Sequence, residues 1–162
     1  MTEIAFHFKA PDRQAYLCRL LRKATALGSR AVVVAPPGEL AALDQALWTF
    51  SALDFVAHCR ADATPDMLAS SPVVLTERLT DAHHPALAEA LAKAPVLINL
   101  CDEPPPGFEQ FERLIEVVTA DPAQRQRARE RWRHYAQRGY PLTSHDLAAA
   151  TAPEQPSTAS AS

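Results

Sequence analysis

The sequence predicts an α/β protein: three layers, α/β/α, with helices on both faces of a mostly parallel sheet. Three observations carry this. Short apolar runs alternate along the chain with segments of three- and four-residue periodicity, the pattern of strand–helix–strand units. The most apolar runs, AVVVA at 31–35 and PVLINL at 95–100, are continuous rather than alternating, as in strands covered on both faces. The helical segments are punctuated by proline at their starts and glycine at their ends, the asymmetry that helix termini prefer.

The elements follow in order. IAFHF at 4–8 reads as the first strand. Asp12 opens a helix in which Tyr16, Leu17, Leu20, Leu21, Ala24 and Leu27 share a face, and Gly28 stops it. AVVVA is the second strand, and ELAALDQALWT at 39–49 a helix. DFVAH at 54–58 is expected as a short edge strand and PVVLTE at 72–77 as a further strand. Pro85 starts a helix through ALAEALAKA, which leads into the buried strand PVLINL. GFEQFERL at 107–114 is expected to make a helical turn or two, and IEVV at 115–118 a strand. The final helix has the clearest start: Asp121, then Pro122 at the first helical position, then Gln124 in a capping-box-like place. Gly139 ends it.

The 162 residues suit one domain, expected over 1–149. Residues 150–162, ending in APEQPSTASAS, are small and polar and are expected to be a disordered tail. No apolar run approaches the ~18–20 residues of a membrane span. The opening MTEIAFHFKAPD lacks a basic stretch followed by an apolar one, so the expectation is an uncleaved, cytoplasmic protein. Cys18, Cys59 and Cys101 are odd in number and widely spaced, which reads as reduced thiols rather than a disulfide or zinc framework.

Several chemistries lack their signatures. With four glycines, none in a G-x-G-x-x-G or G-x-x-x-x-G-K-[ST] arrangement, the sheet is Rossmann-like without a phosphate-binding loop. The turn APPGE at 35–39 has two prolines that donate no amide hydrogen. No G-x-S-x-G elbow occurs. His83–His84 precedes Pro85, where a loop-to-helix turn is the simplest reading, and no metal site is expected. Asp102–Glu103 follows a strand, where α/β enzymes place catalytic acids, but the three prolines at 104–106 favour an ordinary loop. No catalytic residue or cofactor is assigned. A small nucleotide-binding protein or hydrolase is the enzyme alternative.

The charge is concentrated. Residues 125–138 hold six arginines against Glu130, a segment of +5 on a chain of net −3, so the remainder is −8. Residues three and four apart share a helix face, which groups Arg125, Arg129, Trp132 and Arg133 and leaves Arg127, Arg131 and Arg138 elsewhere. Guanidinium forks beside a flat apolar ring suit a short acidic peptide with a hydrophobic end. A solvated helix face whose aromatics pack inward is the other reading. A grip on single-stranded nucleic acid is a third, weakened by the single basic element and the lack of an aromatic-rich strand.

The chain resembles the chi subunit of bacterial DNA polymerase III holoenzyme. The resemblance lies in CRLLRKATALGSRAVV at 18–33, LDQALWTF at 43–50, DFVAH at 54–58, VLINL at 96–100, FERLIEVV at 111–118 and ARERWRHYAQRGYPLTSH at 128–145. These run in order over most of the chain. The departure is Ala57, where the family often has proline. The resemblance implies a non-catalytic accessory protein of the clamp-loader assembly in DNA replication. It would bind the psi subunit and the acidic, hydrophobic-ended C-terminal tail of single-stranded DNA-binding protein, contacting DNA mainly indirectly. By motif, Arg125, Arg129, Trp132 and Arg133 would form the tail site, with a pocket beside Trp132 for the terminal apolar side chain. Trp48 would either lie nearby or anchor the core. Tyr135 and Tyr140 would pack at the site's rim. No psi-contact residue is marked by the sequence.

Overall fold

The computed structural model describes residues 1–49, 56–80 and 84–150. Seven strands form one sheet in the order β3-β4-β2-β5-β6-β1-β7. They are β1 Glu3–Ala10, β2 Ala31–Val34, β3 Cys59–Arg60, β4 Val73–Thr76, β5 Val96–Asn99, β6 Arg113–Thr119 and β7 Leu142–Asp146. Every pairing is parallel, so the expected three-layer α/β/α fold is present and its sheet is parallel throughout.

Alternation along the strands separates two cores. Ile4, Phe6, Val32, Val34, Leu97 and Leu114 face one layer, built from α3 (Pro65–Ser70), α4 (Pro85–Lys93) and α5 (Pro122–Gln137). Val33, Leu75, Ile98, Ile115 and Val117 face the other, built from α1 (Arg13–Ala26) and α2 (Pro37–Thr49). Phe6 and Leu97 are fully buried; each contributes about 1.5–3 kcal/mol relative to exposure.

Helix boundaries follow the capping chemistry. Asp12 accepts from the Ala15 amide at 3.1 Å, and Gly28 takes φ +81 just beyond α1. His84 caps α4, its Nδ1 accepting from the Ala86 amide at 3.2 Å; His83 lies outside the described residues. Asp121 accepts from the Gln124 amide at 3.1 Å. Gln124 does not complete a reciprocal capping box; its Oε1 accepts from the Thr119 amide at 3.2 Å. Gly139, at φ +81, ends α5 as expected.

Five elements depart from expectation, one of them a short helix, α6, at Leu147–Ala150 after β7. The edge strand expected over 54–58 lies partly outside the described residues. Residues 56–58 carry no strand, and β3 is only Cys59–Arg60. Helix α3 has no counterpart among the expected elements, although Thr64 caps it and Pro65 occupies its first position. The helix expected at 107–114 is a single 3-10 turn at Phe108–Gln110, and β6 starts earlier, at Arg113. Strand β7 is likewise unexpected: LTSHD is polar because it forms the sheet edge beyond β1.

A basic helix with two flanks

Helix α5 packs on the sheet through a narrow stripe, Ala128, Arg131 and Tyr135, all buried. At ~100° per residue, Arg127, His134 and Arg138 fall on one side of this stripe, and Arg125, Arg129, Trp132 and Arg133 on the other. The two sides meet different surroundings.

The inner side faces the connection that follows β5. Arg127 pairs with Asp102 at 3.5 Å, and Arg131 Nη1 donates to the Asp102 carbonyl at 2.9 Å. Arg138 Nη1 lies 3.2 Å from His134 Nδ1. A cavity of about 470 Å³ opens here between Arg138, Tyr140, Phe108 and the prolines at 104–106. Asp102 and Glu103, possible acids on sequence grounds, are exposed residues of this connection whose backbone carbonyls hold it in place: the Glu103 carbonyl accepts from Asn99 Nδ2 at 3.4 Å.

Beneath the stripe lies Glu116, an acid with no solvent exposure in the middle of β6. It accepts from Arg131 Nε at 3.0 Å, Tyr135 Oη at 2.6 Å and Asn99 Nδ2 at 3.0 and 3.2 Å. Burial pushes its carboxyl above the usual carboxylate range, opposed by the Arg131 charge and the three donors. Burial and the neighbouring Glu116 charge also push the Tyr135 hydroxyl far up, so it stays a donor. Sequence reading missed Glu116. The available signal was an acid inside the apolar run LIEVV, because a buried acid must find partners.

The outer side faces β1 and β7. Trp132 is half-buried and leans on Phe6 and Phe8 of β1, with ring centroids 5.1 and 6.5 Å apart. Arg125, Arg129 and Arg133 are exposed and make no ion pair or side-chain hydrogen bond with any described residue. The six arginines thus divide into three with side-chain partners, Arg127, Arg131 and Arg138, and three without any among the described residues.

The other expected site residues lie elsewhere. Tyr135 is fully buried on Glu116 and offers a ligand no surface, so it leaves the rim. Tyr140 is half-buried against Phe108 at 5.2 Å and lines the inner cavity, not the outer flank. Trp48 is neither core nor near α5. It is 62% exposed, sits on α2 across the sheet, and meets His58 edge-on at 5.4 Å. His58 in turn is held by Asp44 at 2.8 Å.

A second cavity, of about 420 Å³, lies where the strands end, between Val34, Leu79, Cys101 and Pro104. Trp132 lines neither cavity. Cys18 and Cys59 are buried. Burial, with the charges of Glu116, Glu39 and Asp102, pushes the half-buried Cys101 thiol up to about 11. Among the described residues no three His, Cys, Asp or Glu side chains gather as a metal would need. No helix among them is long and apolar enough to cross a membrane.

Comparison with known proteins agrees with the resemblance. The family model described as DNA polymerase III chi subunit, HolC, matches residues 1–143. The DNA polymerase III subunit chi of Pseudomonas aeruginosa is 34% identical over 152 residues, covering 91% of this chain and 98% of that protein. With the parallel sheet and the basic helix α5 in place, the chain belongs to the DNA polymerase III chi subunit family.

Proposed function

We propose that this chi-family protein is a non-catalytic adaptor of the clamp-loader assembly, joining the psi subunit to the acidic C-terminal tail of single-stranded DNA-binding protein. The observation that carries this reading is the outer flank of α5. Three exposed, uncommitted arginines share the side of the helix that carries a half-buried tryptophan, while the remaining arginines of the helix are engaged by Asp102, Glu116 and His134. Arginine forks accept carboxylates bidentately, and the Trp132 ring offers an apolar wall for a terminal side chain.

The arginines would speed association, an effect that salt screens over a Debye length of ~8 Å at physiological ionic strength. Affinity should be on the order of micromolar, roughly −8 kcal/mol, and many tails on one coated strand would raise it by avidity. A psi contact has to lie away from α5 so that both partners bind together. Trp48, exposed on the opposite helical layer, meets that requirement and is proposed as part of it.

The test is fluorescence anisotropy of a labelled peptide copying the tail, titrated with the protein and with Arg129→Ala at two salt concentrations. Salt-sensitive binding that the substitution abolishes is expected. Absence of binding to the folded protein would overturn the reading. Equal affinity for bare single-stranded DNA would make the protein a direct nucleic-acid binder instead.

A further inference from the structure

We infer that the acidic peptide binds in extended form as an eighth strand, pairing with the outer edge of β7 beneath the uncommitted arginines. The inference rests on the tail-binding reading above and specifies how that site works.

Strand β7 pairs only with β1 among the described residues. The Ile4 amide donates to the Pro141 carbonyl at 3.0 Å. In a parallel ladder, successive residues turn their backbone groups to alternate sides. Pro141, Thr143 and His145 therefore face β1, and the amides and carbonyls of Leu142 and Ser144 face outward.

The side chains follow the same alternation. Leu142 is in register with Ile4, and Ser144 with Phe6, so both lie on the α5 face. Phe6 carries Trp132. The small, half-buried Ser144 side chain thus stands one strand outward from the tryptophan on the same face. Asp146, the acid at the end of β7, is paired with Lys9 at 3.3 Å.

An added strand would lie ~4.8 Å beyond β7 and turn every second side chain toward α5. There Arg125, Arg129 and Arg133 supply positive charge and Trp132 an apolar surface. Charge complementarity selects an acidic occupant, and backbone pairing would give affinity independent of its exact sequence. The polar β7 sequence itself discourages edge-to-edge pairing between copies of this chain.

The test uses the full chain and three versions of the labelled peptide: unmodified, and N-methylated at odd or at even positions. One methylated series should lose about tenfold or more in affinity while the other keeps within about threefold, because only alternate amides of a paired strand donate inward. In the protein, Ser144→Pro removes one outward amide, which an edge strand tolerates. It should lose about tenfold, whereas Ser144→Ala should bind like the unsubstituted chain. Equal losses in both methylated series would overturn strand addition, as would full binding by folded Ser144→Pro. If Ser144→Pro does not fold, the methylated series on the unsubstituted chain still decides. Self-association abolished by Ser144→Pro, with peptide binding intact, would assign the edge to a second copy and also overturn the inference. Failure of the unmodified peptide to bind removes the tail reading and strand addition together. Binding that is indifferent to methylation removes strand addition alone.

Discussion

Replacing Arg131 by methionine should be among the most damaging single changes to this fold. Glu116 has no exposure, and Arg131 is 6% exposed. The pair meets at 3.0 Å with no water-accessible alternative for the carboxylate. Methionine keeps the volume but removes the compensating charge, and breaking a buried pair from one side costs about 3–5 kcal/mol. It also removes the donor to the Asp102 carbonyl, which fastens α5 to the connection after β5. For a domain of this size the expected fall in Tm is roughly 8–15 °C. Tyr135→Phe removes one hydroxyl donor to the same carboxylate and should cost about 1.5–3 kcal/mol. The pair Arg131→Met with Glu116→Leu should recover much of the loss, because apolar packing often replaces a buried ion pair at little net cost. Urea denaturation at pH 7.5 of the unsubstituted chain, the two single variants Arg131→Met and Glu116→Leu, and the double variant closes the cycle. A cost below about 1 kcal/mol for Arg131→Met would refute the reasoning, since it would mean that Glu116 is neutral and needs no counter-ion.

Three further outcomes are expected. Arg127→Ala should leave stability nearly unchanged, because its pair with Asp102 is solvent-exposed and such pairs are worth about 0–1 kcal/mol; a loss comparable with that of Arg131→Met would contradict the division of the helix into two flanks. His7 is held at about 4 by burial first, then by His145 and Arg113, while Tyr16 Oη bonds its ring at 2.6 Å. A depressed histidine pKa gives stability that is complete above the unfolded value of ~6.5 and lost as pH falls toward 4. After allowance for partial exposure this is about 2 kcal/mol, so denaturation midpoints at pH 7 and 4.5 should diverge more for the unsubstituted chain than for His7→Gln; parallel changes would remove His7 as the cause. Gly107→Ala should destabilise more than Gly28→Ala, although both glycines have positive φ. A Cβ at 107 meets Thr80 at 3.1 Å and Leu79 at 3.3 Å, whereas one at 28 meets nothing. Thermal melts of the two variants rank them, and equal losses would leave only the left-handed backbone, about 1–2 kcal/mol, as the cost in both.

The sequence by itself determined the alternation of strands and helices, the buried parallel centre of the sheet and the limits of α5. These are local properties. The unbroken apolar run AVVVA at 31–35, Asp121 with Pro122, and Gly139 act through backbone geometry and neighbours within a few residues. It also placed Arg125, Arg129, Trp132 and Arg133 on one side of a helix, because that follows from helical period alone. It did not reveal strand β7, whose polar residues look like a loop until β1 is beside them. Nor could it show which arginines are occupied. Arg131 is held by Glu116, fifteen positions away, and by Asp102, twenty-nine away. Those partners are set by how β5, β6 and α5 stack. The same stacking buries Tyr135, turns Tyr140 to the inner cavity and puts Trp48 on the opposite layer. Periodicity fixes the side of a helix on which a residue stands; only the packed sheet decides what that side faces.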